Sequence, residues 1–147
     1  MTWSLKSFDD LTPRELYSIM QLRNEVFVVE QDCVYQDADN KDIHCHHLMG
    51  WQDDKLLAYT RIVPPGISYE EISIGRVVTS PSVRHTGVGQ LLMQKSIEAA
   101  RSLYPVGSIR IGAQLYLKKF YESFSFIQCS ETYLEDGIPH IEMRLSF

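Results

Sequence analysis

No run of eighteen consecutive apolar residues occurs in this chain, so a membrane-spanning helix is not expected, nor is a membrane partner. Met1 to Phe8 mixes polar side chains and Lys6 with apolar ones, and lacks both a secretory apolar core and a small-residue cleavage site, which points to a cytoplasmic protein. Cysteine is scarce. Cys33, Cys45 and Cys129 are too few and too scattered for a disulfide framework, and their odd number leaves a thiol free, as a reducing compartment allows. A surplus of positive charge is also missing: 14 Lys+Arg stand against 19 Asp+Glu, a net charge of −5, which excludes nucleic acid as the main partner. Internal repeats, low-complexity tracts and Gly/Ser linkers are absent. What is present, 147 residues with 44% hydrophobic content, suits one domain spanning residues 1–147 with a substantial core.

Apolar periodicity supplies the elements. Trp3 to Phe8 alternates like a strand, and Thr12-Pro13-Arg14-Glu15 then provides a cap, a first-turn proline and a capping-box glutamate. Leu16, Ile19, Met20, Leu22, Val26 and Phe27 recur at helical spacing, so the helix should run to about Val29. Glu30 to His44 has no period and reads as a functional loop. His47 to Trp51 and Leu56 to Val63 form a hairpin, and Ile72 to Thr79 is apolar enough on both faces to be a central strand. A helix over Gly87 to Leu103, a strand at Ile109 to Ala113 and a short helix through Leu117, Phe120, Tyr121 and Phe124 follow. Phe126 to Tyr133 and His140 to Phe147 close the chain as a hairpin about Glu135-Asp136-Gly137. The order β-α-β-β-β-α-β-α-β-β implies an α/β fold with a mixed sheet and helices on its faces.

The most informative stretch is the central strand passing through Ser80-Pro81-Ser82-Val83 into Arg84-His85-Thr86-Gly87-Val88-Gly89-Gln90 and a helix. Backbone N–H groups at a helix start have no intrahelical partner and face outward with the positive end of the dipole, a site for a diphosphate. A Walker loop would need Gly-Lys-Ser/Thr, and a dinucleotide fold a third glycine where Leu92 stands. Arg84, Gly87 and Gly89 instead resemble the Arg/Gln-x-x-Gly-x-Gly/Ala acetyl-CoA signature of the GNAT superfamily. Phe120-Tyr121-Glu122-Ser123-Phe124-Ser125-Phe126 looks like that family's second signature, a Phe-Tyr-Glu-x-Φ-Gly-Phe helix end, with Ser125 in place of the glycine.

The resemblance implies a mostly antiparallel mixed sheet of about seven strands, helices on both faces and a splayed pair of parallel strands that admits acetyl-CoA as co-substrate. It implies that Val77, Val78 and Thr79 offer backbone groups to the pantetheine arm and acetyl carbonyl, that Arg84, His85, Thr86, Gly87, Val88, Gly89 and Gln90 hold the pyrophosphate, and that Gln114 contacts the cofactor through its amide. Tyr121 takes the position of the acid that protonates the departing thiolate. The chemistry agrees: a tyrosine of pKa near 10 is protonated at neutral pH, yet lies close enough to a thiol's value of about 8.5 to transfer its proton. A backbone donor such as Val78 or Thr79 N–H suits the oxyanion, and no covalent enzyme intermediate is needed.

Leu22-Arg23-Asn24-Glu25-Val26-Phe27-Val28-Val29-Glu30-Gln31, Tyr35-Gln36-Asp37, Ile74-Gly75-Arg76-Val77-Val78 and Glu135-Asp136-Gly137-Ile138-Pro139-His140 resemble the ElaA-like subgroup of that superfamily, over nearly the whole chain. The subgroup's acceptor is poorly defined. An ammonium must lose a proton before attack, at a cost of about 4 to 5 kcal/mol at pH 7, so a base is expected. The resemblance puts Glu30, Asp37, His47 and His140 near the acceptor mouth, with Glu30 and His140 the favoured candidates, and Glu30, Asp32, Asp37, Asp39 and Asp42 would form an acidic rim that attracts a small-molecule or peptide amine. His44-Cys45-His46-His47 lacks tetrahedral ligand spacing, so no metal is expected. Exposed strand ends would let two copies pair as a homodimer. Two other readings stay open: a non-catalytic acyl-CoA-binding regulatory module, suggested by Ser125 and the unassigned base, and an acyltransferase like the acyl-homoserine-lactone synthases.

Overall fold

The computed structural model describes the whole chain, Met1–Phe147. β1 (Thr2–Ser7) leads to α1 (Pro13–Arg23), whose start is fixed by the expected capping box: the Glu15 amide donates to the Thr12 hydroxyl at 3.1 Å, and the Thr12 amide to the Glu15 carboxylate at 2.8 Å. The helix does not continue in α form to Val29. After Arg23 it widens into a π-helical segment, Asn24–Glu30, where Val26, Val28 and Val29 bring the β-branched side chains that lose most freedom in a regular α-helix. β2 (His46–Gln52), β3 (Lys55–Val63) and β4 (Ser73–Thr79) pair antiparallel in the order β1-β2-β3-β4. α2 (Val88–Leu103), β5 (Ile109–Gln114) and α3 (Lys118–Glu122) follow, with β6 (Ile127–Gln128), β7 (Tyr133–Glu135) and β8 (Ile138–Leu145) at the end.

The expected strand from Phe126 to Tyr133 is therefore divided in two, and both pieces pair antiparallel with β8, which also pairs with β5. The break has a local cause. The Glu142 amide donates to the Ser130 hydroxyl at 2.8 Å, so a side chain stands where the ladder would need a backbone carbonyl.

Side-chain alternation along β2 and β3 places the helices on opposite faces. Met49 and Tyr59 pack with Ile19, Leu22 and Val26 of the first helical stretch, whereas Leu48 and Ala58 pack with Leu92 of α2. A third cluster runs across both sheets: Ile62, Ile74 and Met93 meet Ile109, Ile111, Tyr121, Phe126 and Ile141. That shared core holds the sheets together, because the backbone link between them is slight. One parallel bridge, Ile72 to Ile109, and a 2.8 Å bond from the Arg110 amide to the Ile72 carbonyl join β4 to β5. Beyond it the two parallel strands diverge, as the splayed-pair expectation requires.

Candidate active site

The divergence of β4 and β5 opens a cavity of about 1010 Å³. β4 contributes Val77, Val78 and Thr79, β5 contributes Ile111 to Gln114, and the π-helical segment contributes Phe27 and Glu30. β4 reaches the gap through a bulge: Arg61 pairs with Gly75 and Tyr59 with Val78, so Arg76 and Val77 together face Thr60. Arg76 takes the left-handed φ of +50° that the extra residue demands. The register also sorts the amides. Ser80 N–H bonds the Leu57 carbonyl at 2.8 Å, so by the two-residue period of the ladder Val78 turns its amide toward β3 and Thr79 turns its own into the gap. Of the two expected oxyanion donors, Thr79 has the free N–H.

Past β4, His85 (φ +63°) and Gly87 (φ +87°) turn the chain into α2. No side chain caps this helix, and its first internal bond runs from Leu91 N–H to the Gly87 carbonyl, so the amides of Val88, Gly89 and Gln90 are left free. A Cβ at Gly89 would meet nothing within 4 Å, and its φ is not left-handed. Glycine there weakens the helix by roughly 0.5–1 kcal/mol with no internal reason, and close approach of an external group explains it. Arg84, His85 and Gly89 line the cavity, whereas Thr86, Gly87, Val88 and Gln90 do not, and Val88 packs against the Leu48, Ala58 and Leu92 cluster.

Tyr121 and Gln114 also line the cavity. Burial raises the Tyr121 hydroxyl well above its ordinary value, with a smaller contribution from Tyr116, so it stays protonated through neutral pH. The Gln114 amide donates to the Gln31 side chain at 3.3 Å, spanning the gap between β5 and the chain beyond the π-helical segment. Ser125 ends the α3 turn at φ +73°, and the Phe126 amide reaches back to the Tyr121 carbonyl at 3.3 Å. The turn is thus the one a glycine would make, and serine carries its strain.

The acidic rim expected at the acceptor mouth is largely neutralised, although Glu30 and Asp39 do line the cavity. Asp37, Asp39 and Asp42 are tied to three arginines: Arg23 to Asp37 and Asp42 at 2.7 Å each, Arg61 to Asp39 at 2.7 Å and Asp42 at 3.0 Å, and Arg76 to Asp37 at 2.8 Å. Arg23 is wholly buried. Burial alone would raise the Asp39 and Asp42 carboxyls, but hydrogen bonds and charge from Arg61 and Arg23 outweigh it and hold both below the usual range. Asp37, held by both Arg23 and Arg76, is a neutralised partner. His47 is also removed from the mouth. It is fully buried, its Nδ1 lies 2.7 Å from the Tyr59 hydroxyl and its Nε2 2.9 Å from the Asp42 carbonyl, and burial lowers its pKa. Sequence reasoning missed this network, although Arg23 carried a signal: it falls beside Ile19, Leu22 and Val26 on the buried side of the first helix, where a charge must find a partner.

Glu30 and His140 both reach the cavity. Glu30 forms a bidentate pair with Arg84, and that hydrogen bond lowers its carboxyl, which makes it a poorer base. His140 stands opposite Gln114 in the β5–β8 register. Its Nδ1 lies 2.7 Å from the Ile138 carbonyl, which can only accept, so Nδ1 is the nitrogen that donates there. Nε2 lies 3.3 Å from a Glu135 carboxylate oxygen, placed to stabilise the ring once Nε2 is protonated. Cys45, pushed up to about 11 by burial, is a protonated thiol at neutral pH. No helix is long and apolar enough to cross a membrane, and no group of three or more His, Cys, Asp or Glu side chains is gathered as metal ligands.

With this geometry in hand, comparison with known proteins is specific. A family model described as an acetyltransferase (GNAT) domain matches residues 9–147. Protein ElaA of Escherichia coli K12 is 44% identical over 143 residues, which cover 96% of this chain and 94% of that protein, and its crystal structure superimposes with a TM-score of 0.93. An acyl-CoA N-acyltransferase from Pseudomonas aeruginosa is similar at 44% identity over 99% of both chains, with a TM-score of 0.95. An aminoglycoside 6′-N-acetyltransferase complexed with coenzyme A shares the fold at 16% identity, over 99% of this chain and 96% of that one, with a TM-score of 0.72.

Proposed function

The chain belongs to the GNAT acetyltransferase family, and we propose that it is a single-domain, cytoplasmic N-acetyltransferase that moves acetyl from acetyl-CoA to a primary amine by direct transfer. The observation that carries this reading is the junction of two features: free amides at the start of α2 and a gap between β4 and β5 whose lining includes Gly89 among them. A diphosphate on the first would lay a thioester arm along the second.

Each residue then has a task. Arg84 and the amides from Gly87 to Gln90 bind the diphosphate, while Val77 and Thr79 receive the arm. The amine nitrogen bonds to the acetyl carbon, and the Thr79 N–H, facing the gap, stabilises the oxyanion. The carbon–sulfur bond breaks, the thiolate takes the Tyr121 proton, and the new amide nitrogen gives up its second proton, which restores the tyrosine. A buried tyrosine is a weaker acid than a free one, but the same burial makes an unprotonated thiolate costlier, so transfer stays feasible. His140 Nε2 accepts the proton that the ammonium must lose, and Glu135 stabilises the resulting imidazolium. The site supports His140 over Glu30 as base, because an imidazole is by nature a better proton acceptor than a carboxylate and Glu135 stands beside Nε2 to stabilise the charge.

The test is release of free thiol from acetyl-CoA against a library of primary amines, with the acetylated product identified by mass. Thiol release that depends on an amine, and is lost in Tyr121→Phe, is the expected result. Coenzyme A binding without turnover on any amine would replace the enzyme with a binding module.

A further inference from the structure

The Arg84–Glu30 pair sits at a junction. Arg84 lies in the turn before α2, where a diphosphate would bind, whereas Glu30 ends the π-helical segment one residue before Gln31. The Gln31 side chain accepts from Gln114 at the tip of β5, and Gln114 is the register partner of His140. Glu30 therefore belongs to the acceptor half of the cavity by position and to the cofactor half by its partner. The pair can also exchange. Its two side chains are 38% and 40% exposed, whereas Asp39, the other arginine-bound carboxylate in the cavity wall, is held by an Arg61 that is only 4% exposed.

Resting on the reading that coenzyme A fills the gap, we propose that Glu30 is the ligand for an acceptor ammonium, masked by Arg84 until the cofactor's diphosphate draws the guanidinium away. The acceptor is then a cation, and it binds after the cofactor. A diphosphate competes well for Arg84 because it carries more charge than a carboxylate and matches the guanidinium fork. The free amides of α2 hold the diphosphate as well, and nothing comparable holds Glu30. Once released, the carboxylate faces the cavity without a partner and attracts an ammonium. Linkage makes the coupling reciprocal: the factor by which cofactor strengthens cation binding equals the factor by which cation strengthens cofactor binding.

Titration calorimetry at low ionic strength, where exposed pairs are strongest, tests the cofactor arm. Coenzyme A should bind Glu30→Gln about two- to fivefold more tightly than wild type, the range of an exposed pair, and the gain should vanish when Arg84→Ala is also present. For the acceptor arm, n-butylamine titrated by NMR should bind the coenzyme A complex about threefold more tightly than the free protein, and Glu30→Gln should abolish the difference. Unchanged coenzyme A affinity in Glu30→Gln, a gain that survives without Arg84, or amine binding indifferent to coenzyme A or to Glu30 overturns this proposal and leaves the acetyl-CoA reading standing. If wild type binds no coenzyme A, both fall together.

Discussion

Replacing Asp42 by asparagine keeps the shape of the side chain and removes one charge from the buried network. Asp42 Oδ1 accepts from Arg23 Nη1 at 2.7 Å and from Arg61 Nη1 at 3.0 Å, and the side chain is 8% exposed. Its backbone carbonyl, which holds Cys45 N–H and His47 Nε2, is untouched. The variant leaves Arg23, Arg61 and Arg76 facing two carboxylates, and the excess positive charge falls beside Arg23 and Arg61, both buried, at a cost of about 3–5 kcal/mol. At about 2–4 °C per kcal/mol for a protein of this size, Tm should fall by about 6–20 °C, with an unchanged urea m-value to show that compactness is unaltered. Glu15→Gln, which removes the more exposed Lys6–Glu15 pair at 3.0 Å, is the control and should cost less than about 1 kcal/mol through the ion pair. The effect also has a pH sign. The folded Asp42 carboxyl is depressed, so its contribution is complete above the unfolded value near 4 and drains as pH falls through the lower folded value; the gap between wild type and variant should therefore narrow from pH 5 toward pH 3. A variant within about 1 kcal/mol of wild type at pH 7, or a gap that widens in acid, would refute the reasoning.

Ser125→Gly relieves a φ of +73° and should raise stability by about 1 kcal/mol, or about 2–4 °C in Tm, read by calorimetry. Gly89→Ala meets nothing in the protein and should leave stability unchanged or higher by about 0.5 kcal/mol, while coenzyme A affinity falls by about tenfold, the loss of one bond to a charged oxygen; equal affinity would remove the close-approach argument. Tyr121→Phe should cut kcat for thiol release by about 10²- to 10⁴-fold with coenzyme A affinity within about twofold, and unchanged kcat would remove the acid assignment.

The sequence was most legible where local chemistry dictates structure. The Thr12–Glu15 box, the glycine turn into α2 and the mostly apolar run of β3 are each set by neighbours a few residues apart, and each forms as the pattern predicts. The splayed strands came from family likeness, not from periodicity. Long-range electrostatics stayed hidden. Asp37, Asp39 and Asp42 read as a solvated rim because Arg61 and Arg76, their partners, lie on distant strands, and no spacing rule links a loop to β3 and β4. The π-helical widening was hidden for another reason: its apolar spacing still satisfies an α-helical period, while its backbone follows a wider one. The split of the β6–β7 strand turned on one serine hydroxyl, which propensity does not weigh.

The single rung between Ile72 and Ile109 gives the molecule two interior selvages, strand borders that most proteins hide or blunt, here kept open inside the body of the fold. Any amide-bearing chain that threads between β4 and β5 completes both at once and serves as a ninth, borrowed strand. Hydrogen exchange at Thr79 and Gly112, whose amide shares the gap side with that of Arg110, would then report occupancy directly, and the loaded protein should unfold as one body where the empty one can part along its seam.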